Sequence, residues 1–299
     1  MLLGAIQSAS PAGLIPRVAG LSRVASAVGD FPIVADTLLP LLPVSLAQKA
    51  PPEVSARAVL VRDRGSGATL LEKNSGARLP MASLTKLMTA LVVEENTRAD
   101  QIVEIVESDE NGIPEPRAGF QIGEKLTVGA LLEAMLVSSD NDAAVALGRS
   151  TFGDPVAFVE AMNAKARALG MNSTRFANPV GFDDEQHYST AEDLSLLVEE
   201  FLNHAGLAEI VGKKSEIISS ADGKSRHLLA TTNKLLLKYQ EVIGLKTGYT
   251  SEAKGSLIIL VNRSFSRPVQ YYSIILGSDH REAETDLILD WVKSNFVWK

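Results

Sequence analysis

The sequence predicts an α/β fold, with an antiparallel sheet built from both ends of the chain, flanked by helices, and a helical lobe inserted in the middle. Three observations carry this expectation. Short β-type runs gather over residues 56–74 and again over residues 239–277. Helical apolar periodicity dominates the chain between them. No repeat, coiled coil or low-complexity tract appears after residue 50.

The elements follow in order. "ARAVLVRD" and "GATLLEKN" are strand-like and are separated by "RGSG", which predicts a hairpin. "SLTKLMTALVVEEN" is a helix in which Leu84, Leu87, Met88 and Leu91 can face a core. "IVEIVES" predicts a strand. Thr127 is placed to cap a helix over "VGALLEAMLV", which runs into "SSDNDAAVALGRS". "DPVAFVEAMNAKARALGM" has Pro155 in the first turn and Gly170 near the end of an amphipathic helix. Thr190 opens another helix, expected to end near Gly206. The strands "YQEVIGLKTGYT", "GSLIILVN" and "VQYYSIILG" follow, and "EAETDLILDWVKSNFV" predicts a closing helix.

Residues 1–50 differ from the rest, being rich in Ala, Leu, Val and Pro. They are expected to form a leader, with residues 51–299 as one catalytic-size domain. "TLLPLLPVSLAQ" is too short to span a bilayer and carries two prolines. It reads as the apolar part of an export signal, or else as part of a disordered leader or a misassigned start.

Composition narrows the function. The 299 residues are 45% hydrophobic and carry a net charge of -7, with no cluster of Lys and Arg, which argues against a nucleic-acid partner. With no cysteine there is no disulfide, thiolate metal site or thiol nucleophile. His187, His204, His227 and His280 lie far apart and lack metal-ligand spacing, although one of them could still serve a Ser-His-Asp triad.

Ser83 and Lys86 stand three apart and share a helix face. A serine hydroxyl is a poor nucleophile until a base takes its proton. An amine is that base only where desolvation or neighbouring charge keeps it neutral. The start of a core helix supplies desolvation and aims helix-end N–H groups at an incoming oxyanion. Alone, the pair far more often describes a helix cap and a surface lysine. It is not alone: Ser139-Asp140-Asn141 and Lys246-Thr247-Gly248 follow in chain order.

That set resembles the signature of penicillin-binding proteins and class A β-lactamases. "FVEAMNAKARALGMNSTRFANPVGFDDEQHYSTAEDLSLL", "TTNKLLL" and "HREAETDLILDWV" extend the resemblance to the D-alanyl-D-alanine carboxypeptidases, the low-molecular-mass penicillin-binding proteins. The resemblance implies a β-lactamase/penicillin-binding transpeptidase-like fold and a serine peptidase trimming the terminal D-alanine of peptidoglycan stem peptides. Ser83 would be the nucleophile and Lys86 its base. Ser139 would relay a proton to the leaving amine, and Asn141 would orient Lys86 and the substrate amide. Lys246 and Thr247 would bind the terminal carboxylate. Gly248 would let substrate lie against its strand, and the N–H groups of Ser83 and Tyr249 would form the oxyanion hole. No metal or other cofactor is needed. β-Lactams would be covalent inhibitors, and the site of action would be extracytoplasmic, with membrane attachment open.

Three departures stand out. Asp140 replaces the glycine of many carboxypeptidases. Lys254 displaces a glycine after "TSEA". The strand "RPVQYYSIILG" lacks an arginine expected near Gln270, with Arg267 as an approximate substitute. The alternatives are a peptidoglycan endopeptidase of the same fold, a class A-like β-lactamase and an inactive wall-binding module. The usual deacylating E-x-x-L-N string is absent, Glu160 to Asn163 being its nearest counterpart.

Overall fold

The computed structural model describes residues 41–110, 114–263 and 269–299. The chain runs through β1 (Pro43–Ser45), β2 (Ala58–Asp63), β3 (Thr69–Lys73), a 3-10 turn (Ala82–Thr85) and α1 (Lys86–Asn96). Next come β4 (Ile102–Glu104), α2 (Glu107–Glu110), β5 (Lys125–Thr127), α3 (Val128–Val137), α4 (Asn141–Phe152) and α5 (Pro155–Ala168). After them lie α6 (Ala191–Asn203), α7 (Ala205–Val211), β6 (Ser215–Ser219), β7 (Arg226–Ala230) and α8 (Lys234–Lys238). The chain closes with β8 (Val242–Thr250), β9 (Lys254–Asn262), β10 (Gln270–Ser278), α9 (Arg281–Asn295) and β11 (Phe296–Trp298).

The central sheet has the order β3-β2-β10-β9-β8, and its pairs are antiparallel. The first hairpin therefore pairs with the last strand of the sheet, as the sequence predicts. Alternate residues serve opposite faces. Ile258, Leu260 and Ile274 join the core shared with the helical lobe, while Leu257, Ile259 and Ile275 pack against α9. Burial on both faces explains why β9 and β10 read as unbroken apolar runs.

Within the lobe, α1 is buried at every residue from Lys86 to Val93, so it is a core helix with no solvent face. The expected caps form: Thr127 Oγ1 accepts from Ala130 N–H at 3.1 Å, and Thr190 Oγ1 from Asp193 N–H at 3.0 Å. Three expectations change. The "IVEIVES" strand stops at Glu104 and a helical turn follows it. The helix opened by Thr190 ends at Asn203, and Gly206 lies inside α7. The closing helix ends at Asn295, and Phe296–Trp298 turns back as β11 to pair with β1.

Residues 1–40 of the expected leader lie outside the described residues. Its last part is hydrogen-bonded to the end of the chain. Besides the β1–β11 pairing, Lys49 N–H donates to Asn295 Oδ1 at 2.8 Å and Lys49 O accepts from Trp291 Nε1 at 3.0 Å. Among the described residues no helix is long and apolar enough to cross a membrane.

Candidate active site

The 3-10 turn places Ser83 under strain. Ala82, immediately before it, has φ +50°, a left-handed conformation that costs a residue with a side chain ~1–3 kcal/mol. The surroundings hold it there. Thr85 Oγ1 donates to Ala82 O at 2.8 Å, and Gly181 packs so closely that a Cβ on it would lie 2.0 Å from that oxygen. On the other side, a Cβ on Gly248 would lie 3.0 Å from Ser83 N. Room at Gly248 is thus first needed by the turn that carries Ser83, a nearer neighbour than the expected substrate. Neither the turn nor α1 uses a side chain as its N-cap, so the Ser83 hydroxyl is not a helix cap.

That hydroxyl meets Lys86. Lys86 Nζ lies 2.9 Å from Ser83 Oγ and donates to Asn141 Oδ1 at 2.7 Å. Burial drives the Lys86 pKa down to about 7, although the negative charge of Asp140 pulls the other way. Near neutral pH about half of the lysines are therefore unprotonated and able to accept a proton. The three side chains come from the turn, α1 and the start of α4, brought together by packing of α1 against α4.

The Ser139-Asp140-Asn141 corner is stapled to the segment before it. Asn141 Nδ2 donates to Pro114 O at 2.8 Å and Asn141 N–H to Pro116 O at 2.9 Å. Asp140 caps α4 by accepting from Ala143 N–H at 2.6 Å, and its other oxygen accepts from Ala118 N–H. The aspartate that departs from the family spelling thus takes two backbone donors that glycine could not. Burial raises the Asp140 pKa to about 6, outweighing those N–H groups. Ser139 is buried with φ +62°, and its hydroxyl has no hydrogen-bond partner among the described residues.

Lys246, Thr247, Gly248 and Tyr249 lie on β8, the edge strand beside the turn. Lys246 is fully buried, and its Nζ reaches only the Thr247 carbonyl, at 3.2 Å, among the described residues. Burial, with Lys86 and Arg281 nearby, pushes its pKa well below the ordinary lysine value. An incoming anion would favour its charged form, which burial opposes. Thr247 Oγ1 shares a 2.6 Å hydrogen bond with Thr232 Oγ1, and Tyr249 is exposed.

The register also disposes of the arginine question. Gln270 pairs with Asn262, at the end of the sheet opposite Gly255 and Ser278, and its side chain accepts from Arg64 at 2.9 Å. A cation there would be far along the strands from Lys246, whose neighbours are Ile258 on β9 and, through it, Ile274 on β10. Arg267 lies outside the described residues. The arginine that does reach the motif is Arg281, from the first turn of α9, donating to Gly248 O at 2.6 Å. Lys254 fills the missing glycine's place with φ +56°.

Sequence reasoning missed Gly181, Thr232, Arg281 and the contact of His187 with Thr85, at 2.7 Å. The segments that hold Gly181 and His187, Thr232 and Arg281 each carried the family resemblance, but their neighbours are distant in sequence, so no local pattern gave these residues a role. None of the four histidines hydrogen-bonds Ser83, so no triad forms there among the described residues. Glu95, Glu200 and His204 are grouped closely enough for a metal, but Lys165 Nζ already sits 2.6 Å from Glu95 and 2.7 Å from Glu200.

Comparison with known proteins shows the family. A family model for D-alanyl-D-alanine carboxypeptidase matches residues 45–279. The D-alanyl-D-alanine carboxypeptidase DacF of Bacillus subtilis is 32% identical over 250 residues, covering 81% of this chain and 63% of that protein. A D-alanyl-D-alanine endopeptidase of Pseudomonas aeruginosa is 32% identical over 216 residues, covering 71% of this chain and 69% of that protein. The chain spans a little under two thirds of the length of the carboxypeptidases it matches, 63% and 64% for two of them. Among solved structures, penicillin-binding protein D2 from Listeria monocytogenes in its cefotaxime-bound form aligns with a TM-score of 0.71 and 31% identity, covering 82% of this chain and 99% of that one.

Proposed function

Since the chain belongs to the D-alanyl-D-alanine carboxypeptidase family, we propose that it is a serine peptidase releasing the terminal D-alanine of peptidoglycan stem peptides. The observation that carries this is Lys86, buried, held by Asn141 and 2.9 Å from Ser83 Oγ, with a pKa of about 7. Ser83 Oγ attacks the carbonyl carbon between the two D-alanines as its proton passes to Lys86. The developing oxyanion is met by the N–H groups of Ser83 and Tyr249. The C–N bond breaks, and the leaving amine takes a proton through Ser139. Water then attacks the ester, giving up a proton to the lysine, and Ser83 leaves with its own restored. Lys246 and Thr247 hold the terminal carboxylate, with Arg281 adding positive charge beside them.

The work would be done on the extracytoplasmic side, where the stem peptide is. β-Lactams would acylate Ser83 and persist, because among the described residues no glutamate hydrogen-bonds Ser83 or Lys86. Glu160 lies in a groove with Asn163, Arg167 and Tyr188, away from the residues around Ser83. Relatives named as endopeptidases keep a second reading in play, in which the scissile bond lies within a cross-link.

The test is a burst experiment with penicillin and with a D-Ala-D-Ala pentapeptide, using wild type and Ser83→Ala. We expect one equivalent of drug bound per wild-type enzyme, repeated turnover of peptide, and neither in the variant. Sustained penicillin hydrolysis matching peptide hydrolysis would reject the carboxypeptidase reading in favour of a β-lactamase. Cleavage of a cross-linked dimer in preference to the pentapeptide would establish the endopeptidase.

A further inference from the structure

His187 is a buried imidazole that the reaction scheme does not use, and its hydrogen bonds define one tautomer. Ala177 N–H donates to Nδ1 at 3.0 Å, so Nδ1 carries no proton. In the neutral ring the proton is then on Nε2, which donates to Thr85 Oγ1 at 2.7 Å. With its lone pair engaged, Thr85 Oγ1 donates its own proton to Ala82 O at 2.8 Å. The chain therefore runs in one direction, from Ala177 through His187 and Thr85 to the carbonyl before the nucleophile. Hydrogen bonds linked in this way polarise and strengthen one another. A second proton on the ring would put Nδ1–H against the Ala177 N–H. Burial opposes that proton as well, lowering the His187 pKa to about 4 despite Asp184 and Asp183 nearby.

The Ala82 oxygen and the Ser83 N–H belong to one peptide plane and point in opposite directions. Whatever holds the oxygen also aims the N–H. The oxygen is held by Thr85 and is the atom of this peptide nearest Gly181, 2.0 Å from a Cβ built there against 2.8 Å for Ser83 N, while on the Gly248 side, the side of β8, Ser83 N is the nearer of the two, at 3.0 Å. Gly181 is itself fixed by Asn178, whose Oδ1 accepts from the N–H groups of Val180, Gly181 and Phe182 at 3.1, 2.7 and 3.1 Å. The segment of residues 177–187 thus grips the oxygen from two directions. One grip is the backbone at Gly181 and the other is the imidazole at His187.

We propose that His187 is a positioning residue for acylation, acting through Thr85 to hold the Ala82–Ser83 peptide so that the Ser83 N–H faces the oxyanion. The inference rests on the reading of Ser83 as the acylated nucleophile. It also gives the strained Ala82 a hydrogen-bond donor on its carbonyl, which helps hold it in place.

Two measurements test it. In wild-type protein, ¹⁵N chemical shifts of the His187 ring at neutral pH read the tautomer directly, whether or not any variant folds. A proton on Nε2 is expected, and a proton on Nδ1 would overturn the proposal. The second is stopped-flow acylation by a chromogenic cephalosporin for Thr85→Ser, Thr85→Val, His187→Leu and the His187→Leu/Thr85→Val double variant. The valine and leucine variants should lose ~10- to 100-fold in the limiting acylation rate, with little change in the pre-covalent dissociation constant. Thr85→Ser should recover most of the rate. The double variant should be no slower than the slower single, because both act along one chain. Wild-type rates in both singles, a loss confined to the dissociation constant, or multiplicative losses in the double variant would each overturn it. A wild type that no β-lactam acylates would instead defeat the peptidase reading, and this inference with it.

Discussion

Asp140 and Glu284 are both buried carboxylates that accept backbone N–H groups, yet they titrate in opposite directions. Asp140, at the corner beside Lys86, is raised to about 6 because burial outweighs its N–H donors. Glu284, near the start of α9, is held below the ordinary value. Burial pushes it up, but Ser278 Oγ at 2.6 Å, Ser55 N–H at 2.6 Å and Ala56 N–H at 3.1 Å more than offset that. The surroundings of the two carboxylates differ as well. On the lobe side, Lys86 and Lys246 are pushed towards their neutral forms, and Ala82 and Ser139 sit at positive φ. On the α9 side, the one buried carboxylate among the hydrogen bonds described above is fully satisfied, and the neighbouring core is apolar. For this pair of carboxylates, the shift against charge lies beside Ser83 and Lys86, and the shift in favour of charge lies at the start of α9.

The largest effect that would break this contrast is expected from Lys86→Arg. A guanidinium keeps the charge but stays protonated, so acylation should fall by the ~10²–10⁴-fold that a positioned base supplies. Stopped-flow labelling checks this, and a near-wild-type rate would make Lys86 an electrostatic residue only. Gly181→Ala comes next. Its methyl would collide with the Ala82 carbonyl at 2.0 Å from a φ of +101°, displacing the nucleophile turn and costing ~100-fold in acylation rate.

On the scaffold side, Glu284→Gln should cost ~1–3 kcal/mol of stability at neutral pH, since an amide replaces an acceptor used by three donors. The acylation rate per folded molecule should not change. Because the Glu284 pKa is depressed from 4.5, its contribution is present above that pH and fades as pH falls through the folded value. Denaturant curves for both proteins should therefore converge in acid. Asp140→Asn should have the smallest effect. Losing the anion removes support for the Lys86 ammonium, so the acid limb of acylation, centred near pH 7 in wild type, should move lower. At neutral pH, where about half the lysine is already neutral, the rate should change by less than about twofold. A limb that moves up or stays fixed would show that Asp140 acts only as a staple.

Much of this was legible from the residues. The three motifs, the helices capped by Thr127 and Thr190, and the short apolar runs of the sheet all follow from local pattern, which needs no partner to be read. What escaped depends on a partner far away. His187 and Thr85 stand 102 residues apart, and each is unremarkable within its own stretch. The β6–β7 hairpin was missed because "SEIIS" and "RHLLA" break the apolar alternation with Ser and His, and Leu228 faces outward. The three-residue strands β1 and β11 carry too few side chains to show a period. The expected arginine near Gln270 was misplaced because register, which a single strand does not display, puts that residue at the wrong end of the sheet.

The strand order has a further consequence, for the order of events during synthesis. Leu60 of β2 pairs with Ile274 of β10, so the first hairpin waits for roughly 200 residues to be made before its inner edge finds a partner. At ~5–20 residues per second that wait is on the order of ten seconds or more. Throughout it, β2 offers an apolar strand with one row of backbone groups unpaired, and for most of it either Gly181 or β8 is still to be made, so nothing yet presses Ala82 into its strained shape. The nascent chain is therefore catalytically silent, and its sheet closes only when the C-terminal strands arrive. Until then it is an open chain in need of shielding from other open chains, and one that can still be threaded through a pore.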